Sequence, residues 1–413
     1  MSKNTPLSPV LEINDRKYFT PILDHLPLKN LIEMQLASYQ WFLKEGLREL
    51  LDEISPVQDS LGKTFDLFFR DYYLEEPKYD ELTSKEKNVT YEAPLKCKVE
   101  LVNKETGEIK EQEVFLGDFP VMTKRGTFII NGIERVVVSQ IIRSAGVFFA
   151  ADFLNGEEVF GAKIIPNRGA WLEIETDNRG VISVKIDRRR KVPITTLLRA
   201  FGYGTDEEIL KLFKDVDVHP HKKLIRATLE KDISKSEEEG LKEVYKRIRP
   251  GDMATAENAR SLIYAMFFDF KRYDLGKVGR YKLNQHLNEN YPLTPEHRVL
   301  KKSDLIGIIK KIIQLHNGIG RPDDIDHLSN RRIKAVGELI QNKFRVGLAR
   351  VERIIKDRMS VYETEAITPS QLVNSRPITA VLQEFFANSQ PVSYTHLRAH
   401  ETPEHLVCRL LLE

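Results

Sequence analysis

The chain has 413 residues, 41% of them apolar and 30% charged, with a formal net charge of only +2. That length sets a prior of two or three domains, and the near-neutral balance excludes a global basic character, leaving only local patches for any nucleic-acid contact. Cys97 and Cys408 give neither a disulfide framework nor zinc spacing, the opening Met-Ser-Lys-Asn lacks a signal peptide's apolar core, and no apolar run approaches the ~20 residues of a membrane span, so a cytoplasmic protein is expected.

Residues 1–19 are polar and read as a flexible N-terminus. A helix is expected over Leu31 to Leu51, where Leu31, Met34, Leu36, Tyr39, Phe42 and Leu43 recur near helical spacing around Trp41. Residues 61–83 mix aromatics with acids and fit no single type. Val89 to Thr123 reads as strand, alternating through Leu95, Cys97, Val99 and Leu101, with a turn at Thr106-Gly107. Thr127 to Ile130 and Ile133 to Val138 flank Asn131-Gly132, the preferred pair for a two-residue type I′ turn because both central residues need positive φ. Ser139 to Gly146 is a polar exit. In it Arg143 stands among small residues, free to reach a ligand.

A second module is expected after Gly146. Ala170 to Thr176 alternates, with Leu172, Ile174 and Thr176 on one side and Trp171, Glu173 and Glu175 on the other. Asp177 to Gly180 turns the chain. In the return strand Ile182, Val184 and Ile186 face the core, while Val181, Ser183, Lys185 and Asp187 face out. Trp171 therefore sits on a polar face near Asp187. It is either partly covered by a neighbouring loop or a stacking platform for a base, since every base offers a π-face. Arg188, Arg189, Arg190 and Lys191 follow, as a solvated edge or as added positive potential for phosphates.

Helices then take over. Thr205 caps a helix to Phe213 with acids in its first turn. His219-Pro-His221 is too close and too isolated for a metal site. Ser234 to Arg249 is charged and helical, and Ala254 to Phe270 is an apolar core helix. Asp274 to Asn284, with Gly276 and Gly279, reads as a crossing between modules. Ser303 to His316 is amphipathic. Arg321 to Arg332 then concentrates Asp323, Asp324, Asp326, His327 and the adjacent Arg331 and Arg332 in a loop, which favours polar recognition over catalysis. Ile333 to Met359 is a long helix broken near Gly347, and Pro377 to Phe386 is a last helix.

Several long strings resemble the β subunit of bacterial DNA-directed RNA polymerase: GTFIINGIERVVVSQIIRSAGVFF (Gly126 to Phe149), TYEAPLKCKVELV (Thr90 to Val102), RYDLGKVGRYKLN (Arg272 to Asn284) and DDIDHLSNRRIKAVGELIQNKFRVGLARVER (Asp323 to Arg353). The resemblance runs from about Tyr18 to Gln390. It implies an α+β architecture of two modules, antiparallel sheets with helices. A protrusion is built from residues 20–145 and 329–390, and a lobe over 146–328 is inserted in it. Residues 391–413 lie outside the resemblance. Val392 to Glu401 and Leu406 to Glu413 read as a translated sequencing adapter, so this tail is expected to be non-native.

The resemblance further implies that these modules form one wall of a DNA cleft, contacting downstream duplex and the unpaired nontemplate strand. A pocket for an unstacked guanine would be lined by Arg143, Trp171, Asp187, Ile325, Asp326 and Arg331, with Arg188, Arg189, Arg190 and Lys191 as further phosphate contacts. The metal-binding aspartates of the family belong to the β′ subunit. The chain is thus expected to be an amino-terminal fragment with no catalytic residues and no cofactor of its own, the Mg being held elsewhere. Its expected partners are the rest of β, β′, α, sigma and DNA. The alternatives are a stand-alone single-strand DNA-binding module, against which the charge balance argues, and a metalloenzyme built on Asp323, Asp324, Asp326 and His327.

Overall fold

A computed structural model describes residues 11–13, 16–18, 30–59, 62–154, 156–219, 223–361, 367–388 and 392–394. Most of the expected flexible N-terminus, His221, Gln390 and most of the tail lie outside these residues. The fold is α+β. In chain order its first elements are β1 (Leu11–Ile13), β2 (Arg16–Tyr18), α1 (Glu33–Trp41), α2 (Leu47–Ile54), β3 (Val57–Gln58), β4 (Phe65–Leu74), α3 (Glu81–Glu86), β5 (Glu92–Asn103), β6 (Ile109–Pro120), β7 (Phe128–Ile130), β8 (Ile133–Val137) and β9 (Gln140–Arg143). Then follow β10 (Gly146–Leu154), β11 (Glu157–Ile165), β12 (Leu172–Thr176), β13 (Ile182–Ile186), β14 (Val192–Pro193), α4 (Ile194–Ala200), α5 (Asp206–Phe213), α6 (Leu224–Lys231), α7 (Glu237–Ile248), α8 (Ala256–Phe267), α9 (Gly276–Leu287) and α10 (Lys302–His316). The last are β15 (Arg331–Lys334), α11 (Val336–Val361), α12 (Pro369–Leu372), α13 (Arg376–Asn388) and β16 (Val392–Tyr394). Among the described residues no helix is long and apolar enough to cross a membrane.

The chain divides into two compact units, Met1–Gln140 with Lys334–Glu413, and Ile141–Ile333. In the first, β3, β4, β5 and β6 form an antiparallel sheet in that order. Its alternating apolar residues (Leu67, Val99, Leu116) share a core with Phe42, Phe344 and Phe385 from the helices. Between α1 and α2, Phe42–Gly46 forms a π-helical turn, so the helix expected over Leu31 to Leu51 is one run with a bulge. Asn131 and Gly132 both have positive φ, as the type I′ hairpin between β7 and β8 requires. β16, from the expected non-native tail, pairs along β8.

In the second unit β10 to β14 form a five-stranded antiparallel sheet in sequence order. Period-two alternation turns Val147, Phe149, Ile164, Leu172, Ile174, Ile182 and Val184 to one face, where they pack with Leu197, Phe213, Ile225, Phe267, Leu283 and Ile312 from the helices. Thr205 and Glu208 form a full capping box on α5.

Several expectations are corrected. Asp274 to Asn284 is no crossing: it enters helix α9, whose Arg280 and Leu283 are fully buried. The glycines suggested a break, but Gly279 serves close packing, since a Cβ there would lie 3.1 Å from Ala145 Cβ. α11 runs unbroken through Gly347, where a Cβ would lie 3.1 Å from Ile378 Cα. The polar exit contains a strand, β9, paired with β15. Val181 is buried rather than outward, because it lies in the turn, its N–H held by Asp177 Oδ1 at 2.8 Å. α8 buries only the stripe Ala259, Ile263 and Phe267, leaving Tyr264 exposed.

Candidate nucleic-acid interface

All ten residues singled out for DNA contact lie in the second unit. The sheet register decides which of them meet. Gly146 pairs with Ile165, Ile164 with Leu172 and Leu172 with Ile186. One step further along, Asp187 donates its N–H to Trp171 O at 2.9 Å, and Trp171 N–H points to Asp187 Oδ1 at 3.4 Å. Gly146, Ile165, Trp171 and Asp187 thus form a row at one end of the sheet. Trp171 and Asp187 stand on the face opposite the apolar core, half-buried and exposed respectively.

The turn after β13 explains the basic run. Asp187 and Arg188 have φ of 51° and 59°, and Arg189 N–H donates to Ile186 O at 2.9 Å, a tight turn with two left-handed central residues. This conformation lays Arg188 over the indole of Trp171, with the guanidinium carbon 5.4 Å from the ring centroid. Lys191 is engaged by Glu175 at 2.6 Å, as is Lys185. Burial would raise the Glu175 carboxyl, but hydrogen bonds from the two lysines outweigh it and hold it below the usual range. Arg189 and Arg190 are exposed, without a side-chain ion pair among the described residues.

The acidic loop runs along the free edge of β10. Asp323 clamps one end: its N–H donates to Phe149 O at 2.7 Å, and its Oδ2 accepts from Phe149 N–H at 2.9 Å. At the other end Ser144 N–H donates to Asn330 O at 2.9 Å. That contact aligns the end of β9 with the start of β15, bringing Arg143 and Arg331 side by side. Both are exposed, and neither side chain has a partner among the described residues. Between the clamps Ile325 is half-buried and the Asp326 carboxylate is exposed and unpartnered among the described residues.

Two of the four residues of the metal-site alternative are engaged within this arrangement. Asp323 is spent on the β10 backbone, with His286 at 3.9 Å. His327 Nδ1 accepts the Ser329 N–H at 3.2 Å and lies 2.7 Å from Ser329 Oγ. Among the described residues no three His, Cys, Asp or Glu side chains group as metal ligands. Two features escaped sequence reasoning. Arg188 had no signal for its place over Trp171 beyond the strained turn, and Asn330 had none beyond its position at the loop's end.

The turn after β13 therefore holds an aromatic face, the Asp187 carboxylate and arginines without carboxylate partners among the described residues, and the loop clamped to β10 carries a second exposed carboxylate, Asp326. That set suits an unpaired nucleotide: a ring to stack on, acceptors for base N–H groups and cations for phosphate.

Residues 136–334 match the family model described as RNA polymerase Rpb2, domain 2. The chain is 51% identical over 405 residues to the DNA-directed RNA polymerase subunit beta of Chloroflexus aggregans, covering 91% of this chain and 33% of that relative. To the DNA-directed RNA polymerase subunit beta of Dehalococcoides mccartyi it is 50% identical over 379 residues, covering 91% of this chain and 30% of that relative. The chain thus spans about a third of the length of the curated relatives it matches.

Proposed function

We propose, for a chain that belongs to the bacterial RNA polymerase β-subunit family, that it serves transcription as part of the wall of a DNA cleft, contacting downstream duplex and the unpaired nontemplate strand. On this reading Asp326 and Asp187 accept from N1–H and N2–H₂ of an unstacked guanine, edges that are open only in a single strand. Trp171 stacks on a neighbouring base, and Arg143 and Arg331 hold phosphate. The chain works with the rest of β, β′, α and sigma, and the Mg of nucleotidyl transfer is held by another subunit.

The observation that supports this most is the row through Gly146, Ile165, Trp171 and Asp187, with the Asp326 loop clamped to β10 beside it. The test uses the two tryptophans. In the full chain with Trp41→Phe, Trp171 is the sole reporter. Short unpaired strands with a guanine one step after a thymine are expected to quench it more strongly than the same strands with adenine. The difference should vanish in Asp326→Ala. Equal quenching by both strands, alone and after addition of the partner subunits, would sink the reading.

A further inference from the structure

The loop bearing Asp326 is pinned by a residue outside the proposed pocket. Lys282 on α9 reaches the loop's far end, where Nζ donates to Ser329 O at 3.1 Å and to Asn330 Oδ1 at 3.2 Å. Asn330 passes the constraint on. Its Nδ2 donates to Asp324 O at 2.6 Å, closing the loop across Ile325 and Asp326. Asp324 Oδ1 in turn accepts the Asp326 N–H at 3.0 Å. Three linked hydrogen-bond steps thus join α9 to the backbone of Asp326.

Lys282 is not a free surface lysine. Its stem crosses Gly146 so closely that a Cβ there would lie 3.2 Å from Lys282 Cβ. Its ammonium lies 5.3 Å from the Phe148 ring centroid. Burial pushes the ammonium below the usual lysine range, and the Asp323 charge offsets part of that. A long side chain normally surrenders its rotamer freedom only to a fixed partner. Here the partner is the end of one loop.

We propose that Lys282, acting through Asn330 and Asp324, is a positioning residue for base selection by Asp326. The inference rests on the guanine-pocket reading above. Its logic is geometric. A carboxylate tells guanine from adenine only through directed hydrogen bonds, which weaken steeply with angle and distance. A phosphate held by arginines tolerates more movement. Loosening the loop should therefore erode choice of base before it erodes binding of the strand.

The test compares Lys282→Met and Lys282→Arg in the full chain. Methionine keeps an apolar stem over Gly146 and Phe148 but removes the donor; arginine keeps charge and donors. Two readouts are needed: hydrogen exchange at the Asp326 amide, and the ratio of guanine-strand to adenine-strand affinity by Trp171 quenching. In Lys282→Met, exchange should quicken and the ratio fall, each by about tenfold, the scale of one hydrogen bond to a charged group. Adenine-strand affinity and exchange of core amides should not move, and Lys282→Arg should restore both readouts. Unchanged exchange at Asp326 in Lys282→Met overturns the inference. So does an intact ratio in Lys282→Met where Asp326→Ala abolishes it. A wild-type chain with no guanine preference overturns the pocket reading and base selection with it, and exchange alone then decides whether Lys282 pins the loop.

Discussion

Arg188 lies over the indole of Trp171, its guanidinium carbon 5.4 Å from the ring centroid. A base stacking on Trp171 therefore meets a ring with one cation already on it. Removing that cation in Arg188→Ala should weaken all unpaired strands alike, by about 0.5–1 kcal/mol. The guanine-to-adenine ratio should stay unchanged, because Arg188 bears on the ring and not on the base edge. Trp171 emission titrated with both strands checks this.

Arg143 and Arg331 predict a different signature. Each is exposed without a partner among the described residues, so a phosphate it binds releases counterions. Replacing either by Ala should reduce the slope of log affinity against log salt by about 0.7 for a single strand. Replacing Lys191, engaged by Glu175 at 2.6 Å, should change it less.

The candidate site was legible in parts. Alternation about Asp177–Gly180 put Trp171 across from Asp187, because a hairpin face is set by local period. Asn131-Gly132 likewise announced its turn through the φ it demands. What sequence hid was non-local. Gly279 reads as part of a crossing between modules and Gly347 as a break in a helix, yet each lies inside a helix and admits a neighbouring segment. That cause is invisible without the neighbour. That Arg143, Trp171 and Asp326 serve one pocket is an implication of the family resemblance alone, since no spacing rule links a strand exit, a hairpin and a loop.

The second unit carries a buried pair that is costly to break. Arg280 and Asp304 are both fully buried, with Arg280 Nη1 donating to Asp304 Oδ2 at 2.6 Å and Nη2 donating to Oδ1 at 3.0 Å. Arg280→Ala strands a carboxylate in the core and should cost about 3–5 kcal/mol. Arg280→Met with Asp304→Leu should cost less than the single change, because the buried carboxylate goes with its partner, though Glu289 loses its 3.6 Å contact with Arg280 and Lys301 N–H loses its acceptor. Urea unfolding of the three chains measures the difference.

Acid should act on the same unit through Asp232. Burial would raise this carboxyl, but hydrogen bonds from Ser234, Thr195 and Thr196 outweigh it and hold it below the usual range. Its folded pKa is thus lower than its unfolded one, so its stabilising contribution is complete above about pH 4 and lost as pH falls through the folded value. Asp232→Asn should flatten the acid limb of a thermal-unfolding series below about pH 4. It should also lower stability at neutral pH, since Arg199, fully buried, loses a charged partner at 3.4 Å.

β9 and β15 are the strands by which the chain enters and leaves the residues 141–333, and they are each other's partners. That makes the interval a closed parenthesis in the chain. Deleting its contents would ask the flanking segments to bridge only about 5 Å, one strand spacing. Lengthening or shortening it leaves that gap unchanged, and loop-closure entropy grows only slowly with length. The interval is therefore free to gain or lose whole segments over evolutionary time while the text on either side of it keeps its register.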